Sequence, residues 1–121
     1  METELIYKTA ANALNLKKAR ELKVLKISDL TVLCEYFVIA TATSSTHVRA
    51  LADEVEVKLK EIGATPHHIE GKTTGWIVLD YSSVIVHIFT PNEREFYSLD
   101  RMWSDADELE LTEILDEYEG D

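Results

Sequence analysis

The strongest constraint on the fold of this chain is a pair of alternating apolar segments, Trp76–Tyr81 and Val84–Phe89, separated by Ser82 and Ser83. Such alternation is typical of β-strands, because successive side chains point to opposite faces of a sheet. Two strands joined by so short a segment are expected to form a hairpin. A loop of even length there would pair position 80 with position 85, and position 78 with position 87.

The two faces of this hairpin differ in chemistry. The first face is an ordinary apolar core, made of Ile77, Leu79, Tyr81, Val84, Val86 and Ile88. The second face mixes a tryptophan with an acid and a histidine, and consists of Trp76, Val78, Asp80, Ile85, His87 and Phe89. Because this mixture is unusual for packing alone, we expect the functional site on the second face.

The rest of the chain alternates between helical and strand patterns. We predict a helix over 4–18, strands over 21–27 and 35–42, and a second helix that is capped near Ser44 and ends at Gly63. A short strand near His68 and the hairpin follow. The next helix begins with Thr90 as its cap, Pro91 at its first position and Glu93 at its third. A further cap is predicted at 104–107. This order predicts an α/β fold, a small single-domain sandwich with a mixed β-sheet.

The acidic charge is concentrated at the C-terminus. Residues 105–121 contain nine Asp or Glu and no Lys or Arg, which leaves 14 acidic and 12 basic residues in 1–104, a net of −2 against −11 for the whole chain. We therefore divide the chain into a body, 1–104, and an acidic C-terminal tail, 105–121, with a short helix. The tail is either a solvated end or a flap over a basic partner. Without a basic footprint, the chain is not expected to bind nucleic acid directly.

Cysteine content and hydropathy indicate the cellular compartment. The single cysteine, Cys34, excludes an internal disulfide and is expected to be a buried thiol. No apolar run approaches the roughly 20 residues of a membrane span. The acidic N-terminus lacks the apolar region of a signal peptide and the arginines of an organelle leader. We expect a cytoplasmic protein.

Two polar motifs have simpler explanations than ligand binding. The segment 41–46 is rich in Ser and Thr and precedes a helix, so it could hold a phosphate. It has no glycines that would let the backbone approach a phosphate, and helix capping alone accounts for these residues. His67, His68 and Glu70 suggest a metal, yet adjacent histidines on a strand face opposite ways. We expect no metal and no cofactor.

Several residues near the hairpin carry two interpretations. Asp80 and His87 are diagonal neighbours that form either an acid/base pair or a structural or partner-contacting pair. No Ser or Cys nucleophile is evident beside them. Arg94, Tyr97 and Trp103 are residue types enriched in protein-binding hot spots, but core packing is an equal alternative for each.

Two blocks of this sequence, in this order and spacing, resemble the Iojap family, the ribosomal silencing factors called RsfS. The first block comprises 29–30, 36–39 and 43–53, and the second comprises Gly75–Tyr81, Val86–Phe89, Arg94–Leu99 and Trp103. The resemblance covers roughly residues 4–110.

The resemblance implies a nucleotidyltransferase-like but catalytically degenerate fold. It implies binding to the large ribosomal subunit through its fourteenth protein. Docking there would block joining of the small subunit and repress translation under nutrient limitation, with a further role in subunit maturation and with homodimers as an additional state. The partner-binding residues carried over are Trp76, Asp80, His87, Arg94, Tyr97 and Trp103. The chain is then no enzyme; the alternative is a minimal nucleotidyltransferase that uses Asp80.

One position departs from the family pattern. Ser82 stands where the family commonly has glycine, and tight hairpin loops favour glycine or asparagine at positive φ. We therefore expect a wider loop at this position.

Overall fold

Two amphipathic helices cover one face of a β-sheet in the computed structural model, which describes residues 2–71 and 75–117. Helix α1 spans Thr3–Leu16 and helix α2 spans Ser45–Glu61. The buried side chains of α2 recur every three or four residues, as the sequence predicts, and are Val48, Leu51, Ala52, Val55 and Leu59. The sequence predicts Lys17, Lys18 and Arg20 at the positively charged end of this helix, but α1 ends before Lys17, so these residues follow the helix and do not form its last turn.

A mixed six-stranded sheet is formed in the described part of the chain, which confirms the predicted fold class. Its strands are β1 (Arg20–Lys26), β2 (Tyr36–Thr41), β3 (His68–Glu70), β4 (Trp76–Asp80), β5 (Val84–Phe89) and β6 (Asp107–Glu108), in the order β3-β4-β5-β2-β1-β6. Strands β2 and β5 pair in parallel, whereas β3–β4, β4–β5, β1–β2 and β1–β6 pair antiparallel. The chain therefore leaves β2, passes through α2 and returns beside β2 as β5.

The register of the hairpin is the predicted one. Asp80 pairs with Ile85, and Val78 pairs with His87. The expectation of a wider loop is wrong, because the N–H of Tyr81 donates to the carbonyl of Val84 across a tight turn. Ser82 has a φ of 70° in this turn, which lies in the left-handed region that glycine usually occupies.

The sheet separates two apolar layers. The layer under α1 and α2 includes the whole predicted core face of the hairpin, and each of those six side chains is buried. The layer on the opposite face is smaller and is made of Leu25, Ile27, Cys34, Phe37, Ile39, Phe89 and Leu99, with Trp76, Ile85, Trp103 and Ala106 packed against it. The second face of the hairpin is thus partly covered and partly open.

Two short helices flank this second face. Helix α3 spans Pro91–Tyr97 and helix α4 spans Leu99–Met102, with Ser98 between them at a φ of 50°. Thr90 is the N-cap of α3 and Pro91 its first residue, as the sequence predicts, but the Thr90 side chain makes no cap hydrogen bond. The N–H of Thr90 donates to the carbonyl of Gly75 at 2.8 Å. Because the N–H of Thr90 is already bonded to the Gly75 carbonyl, it does not need the Glu93 side chain as an acceptor.

The acidic segment folds back onto the body. Strand β6 pairs with β1, and a single-turn helix, α5 (Leu111–Ile114), follows it. The predicted cap at 104–107 is therefore wrong, since a strand begins there. Ile114 and Leu115 are buried against the layer under α1, so a fully solvated tail does not describe this segment. The sequence predicts a weak apolar stripe in this segment, made of Leu111, Ile114, Leu115 and Tyr118. Tyr118 lies outside the described residues.

Candidate docking surface

Trp76 is half-buried at the start of β4, in contact with three other rings. Its indole stacks on Phe89, with centroids 5.0 Å apart, and lies 4.4 Å from the ring of Tyr97. The indole Nε1 donates a hydrogen bond to Nδ1 of His87 at 3.2 Å. The strand pairing of Trp76 with Phe89 accounts for the first contact, because paired residues share a face of the sheet.

His87 lies beneath this indole and is only 7% exposed. The ring of Phe37 packs edge-on against it, with centroids 4.6 Å apart. Burial lowers the pKa of His87 to about 4, so the imidazole is neutral near pH 7. Because Nδ1 accepts from Trp76, the proton resides on Nε2, which has no hydrogen-bond partner among the described residues.

Asp80 stands apart from His87 chemically, although the two are diagonal neighbours. Its Oδ1 accepts from the N–H of Ser82 at 2.8 Å, and it pairs across strands with His68. Since Nδ1 of His87 is occupied by Trp76 and Nε2 is unpartnered, the interpretation of Asp80 and His87 as a hydrogen-bonded pair is wrong. Asp80 is half-exposed at the end of β4, where a partner can reach it.

Tyr97 and Trp103 complete the open part of this face. Tyr97 is 42% exposed, and Trp103 is half-buried with its ring edge-on to Phe37, at a centroid distance of 5.3 Å. We call these two residues and Trp76 the aromatic surface (Trp76, Tyr97 and Trp103). Trp76 packs on Phe89, Tyr97 packs on Trp76, and Trp103 packs on Phe37, so each ring is held by contacts within the free chain and the aromatic surface is pre-formed.

Arg94 points inward and is only 6% exposed. Its Nε and Nη2 donate to the two carboxylate oxygens of Asp100 at 3.0 and 2.9 Å. Its Nη1 donates to the backbone carbonyl of Glu21 at 2.6 Å and to Oγ1 of Thr41 at 2.8 Å. Of the six residues carried over from the resemblance, the structure brings Trp76, His87 and Tyr97 into contact and joins Trp103 to His87 through Phe37. Asp80 lies at the far end of β4, and Arg94 turns inward from α3 toward β1 and β2.

Three residues near the aromatic surface could not be recognised as part of the site from the sequence. Phe37 supports both His87 and Trp103, but in the sequence it is one member of an apolar run. Asp100 holds Arg94, and this pairing depends on the turn at Ser98. Met102, 67% exposed, adds apolar area beside Trp103.

The other polar motifs are explained by local contacts. Ser44 caps α2 by accepting a hydrogen bond from the N–H of His47, which supports capping for the Ser/Thr segment. Nε2 of His68 contacts Oε1 of Glu70 at 2.6 Å, and residues 2–71 and 75–117 hold no group of three His, Cys, Asp or Glu suited to a metal. Burial raises the pKa of Cys34 to about 11, as befits an unreactive thiol.

A cleft of about 1110 Å³ lies between the end of α1 and the start of β1, and Arg94 and Asp100 form part of its wall. Cations and carboxylates share its wall, among them Lys17, Lys18, Arg20, Glu21, Glu108 and Glu117. Such a mixed lining gives no single-sign field for phosphates. Within the described ranges, no helix is long and apolar enough to cross a membrane.

Comparison with known proteins places this geometry in a family. The family described as "Ribosomal silencing factor during starvation" matches residues 1–120. A ribosomal silencing factor RsfS of Halalkalibacterium halodurans is 29% identical over 116 residues, covering 95% of this chain and 99% of its own. The RsfS of Chromobacterium violaceum is 38% identical over 104 residues, covering 85% of each chain.

A solved structure agrees with the fold as well. An X-ray crystal structure of a protein from Chromobacterium violaceum superposes with a TM-score of 0.83 at 36% identity, covering 86% of this chain and 88% of the other. Sequence and fold therefore agree over most of the chain. The chain belongs to the family of ribosomal silencing factors.

Proposed function

We propose that this protein binds the large ribosomal subunit through its fourteenth protein and blocks joining of the small subunit, so that translation is repressed when nutrients are limiting. The aromatic surface is the observation that carries the proposal. Tryptophan and tyrosine dominate binding hot spots, and here they lie on the face of the sheet that α1 and α2 leave open. The family of the chain supplies the ribosome as the partner.

The size of the domain suits a mechanism based on occupancy. A standard interface buries about 800 Å² per partner, which is roughly one ninth of the 7097 Å² of accessible surface here. The surface is pre-formed, so little ordering entropy is lost on binding. A domain seated on the subunit-joining face blocks that face without any chemical step.

Charge around the aromatic surface favours a basic partner. The acidic segment begins two residues after Trp103, and Ala106 within it packs into the same apolar layer as that indole. Asp105 and Asp107 are therefore exposed beside the surface. Complementary charge steers association and disfavours phosphate-rich partners, which supports a basic ribosomal protein as the direct contact.

The contacts we propose are Trp76, Tyr97 and Trp103 directly and Asp80 at the rim. His87 is buried beneath Trp76 and acts through that indole. The alternative, a nucleotidyltransferase that uses Asp80, requires closely spaced carboxylates around a metal. No observation in the described residues favours it.

Co-sedimentation with isolated large subunits tests the proposal. We expect the wild-type protein to pellet with large subunits and to reduce their joining to small subunits in a gradient. Omission of the fourteenth protein from reconstituted subunits should abolish both effects. Failure of binding with active subunits, or metal-dependent nucleotide turnover at an ordinary rate, would contradict the proposed function.

A further inference from the structure

We infer that Arg94 is a positioning residue that sets the relative placement of Tyr97 and Trp103 and does not itself touch the partner. This inference rests on the proposed function, because it concerns the surface that function uses. It also departs from the resemblance, which implies that Arg94 is a contact. The geometry around the guanidinium carries the argument.

The guanidinium of Arg94 connects four segments of the fold. It donates to the Asp100 carboxylate of α4, to the Glu21 carbonyl of β1 and to the Thr41 hydroxyl at the end of β2, while Arg94 itself belongs to α3. Lys23 of β1 adds an ion pair to Asp100 at 3.1 Å. The two short helices are thereby joined to the adjoining ends of β1 and β2 at one point.

Helices α3 and α4 need contacts outside themselves to hold a fixed angle. They contain seven and four residues, too short to be stable alone, and Ser98 separates them in the left-handed region. A planar guanidinium that binds a carboxylate at two points fixes both distance and direction. The Arg94–Asp100 pair therefore sets the angle between the two helices.

Tyr97 and Trp103 have the same sequence spacing from the two members of the Arg94–Asp100 pair. Tyr97 is three residues after Arg94, and Trp103 is three residues after Asp100. Tyr97 is the last residue of α3 and Trp103 directly follows α4, so each aromatic ring follows the orientation of the short helix that carries one half of the pair. A change in the pair would move Tyr97 against Trp76 and Trp103 against Phe37.

The burial of Arg94 argues against direct contact with a partner. Only 6% of its surface is exposed, and its donors are directed at Asp100, Glu21 and Thr41. A partner carboxylate would have to displace Asp100, whose pKa is lowered to about 2, chiefly by its hydrogen bond from Arg94. The pair is thus already satisfied within the free protein.

Fluorine NMR of the full chain labelled with 5-fluorotryptophan tests the inference. The chain has two tryptophans, so the spectrum has two resonances, which Trp76→Phe assigns. We expect Arg94→Lys to shift the Trp103 resonance, because an ammonium keeps the charge but cannot bind a carboxylate in a planar fork. Asp100→Asn should shift it in the same way, and the double variant should add nothing further.

Binding to large subunits is measured on the same variants. We expect Arg94→Lys and Asp100→Asn each to weaken binding by roughly tenfold, with a double-variant loss close to either single loss. Arg101→Lys, the same exchange at an exposed neighbour, is the matched control and should leave binding unchanged. Gly63→Ala, which strains the end of α2 at a φ of 89°, should lower stability without moving the Trp103 resonance.

Two results would overturn the inference. One is a Trp103 resonance that stays unmoved in Arg94→Lys while binding falls, since Arg94 would then act on the partner itself. The other is a set of binding losses that simply add in the double variant. If Arg94→Lys does not fold, Thr41→Val takes its place, because it removes one of the acceptors of the Arg94 guanidinium. This variant must shift the Trp103 resonance in the same direction by a smaller amount. A wild-type protein that does not bind subunits refutes the proposed function, while the spectrum of the free protein still decides the role of Arg94.

Discussion

The indole N–H of Trp76 donates to Nδ1 of His87 across paired strands, over 3.2 Å. This single bond links an aromatic residue that a partner can reach to a histidine that solvent barely reaches. It also selects the neutral tautomer of His87 with its proton on Nε2. The orientation of the indole therefore depends on the protonation state of a residue beneath it.

Replacement of Trp76 by alanine should weaken binding to large subunits by more than about tenfold, as loss of a central aromatic hot spot does. The variant should remain folded, because the indole is only half-buried and the core under α1 and α2 does not include it. Co-sedimentation over a range of subunit concentrations measures the effect. Val57→Ala, at an exposed apolar residue of α2, is the control and should bind as the wild type does; equal binding by Trp76→Ala would remove the aromatic surface from the interface.

Acidification should destabilise the protein through His87. The pKa of His87 falls from 6.5 to about 4 in the folded chain, because burial disfavours the imidazolium. Between these values the unfolded chain binds a proton that the native chain does not, so stability is greatest above about pH 6.5 and is lost as the pH falls toward 4. The loss from this group is at most about 1.4 kcal/mol per pH unit.

Urea unfolding between pH 4 and pH 7.5 measures this loss. His87→Gln offers Trp76 an acceptor but no titrating group, so the free energy of unfolding should vary less with pH in the variant than in the wild type. The three other histidines are the same in both proteins, so their contributions cancel in the comparison. Identical pH dependence in the two proteins would show that His87 does not carry the effect.

Patterns within single strands and helices predicted most of the fold. The alternation of the hairpin gave its register and its core face, and the three- and four-residue spacing of α2 gave the buried side of that helix. Contacts between distant segments were not predictable in this way. The inward direction of Arg94 depends on Thr41 and Asp100, which adjoin it only once the sheet has formed. Strand β6 consists of Asp107 and Glu108, residues that strands disfavour, so its pairing with β1 carried no local signal.

Replacement of Ser82 by glycine should stabilise the protein. Ser82 has a φ of 70°, a region that costs a residue with a Cβ roughly 1 kcal/mol and costs glycine little. We expect a gain of up to about 1 kcal/mol in the free energy of unfolding, measured with urea. Ser83→Gly, at the next residue of the same turn, lacks this strain and should give no gain. A loss of stability in Ser82→Gly would mean that the turn gains more from the serine side chain than it loses in strain.

Removal of the Asn12 side chain should release the C-terminal segment. Its amide donates to the carbonyl of Ile114 at 3.1 Å and accepts from the N–H of Asp116 at 2.7 Å. Asn12→Ala breaks both contacts and should cost about 1–3 kcal/mol. Hydrogen exchange should accelerate at Leu115 and Asp116 but not in β4. Asn15→Ala, which removes one contact to Glu117 at 2.6 Å, is the milder comparison; unchanged exchange in Asn12→Ala would mean that burial of Ile114 and Leu115 holds the segment by itself.

The parallel pairing of β2 with β5 has a consequence for how the chain reaches its native state. During synthesis β2 can meet β1 early, yet its other edge stays unpaired until α2, β3, β4 and β5 have all been made. Contacts between residues so distant in sequence form slowly, because a long loop must close before they contribute. Until then the apolar edge of β2 is open to wrong pairing. Completion of the sheet, and with it the aromatic surface, therefore waits for the hairpin, so a nascent chain gains its docking site only after nearly all of the domain has been translated.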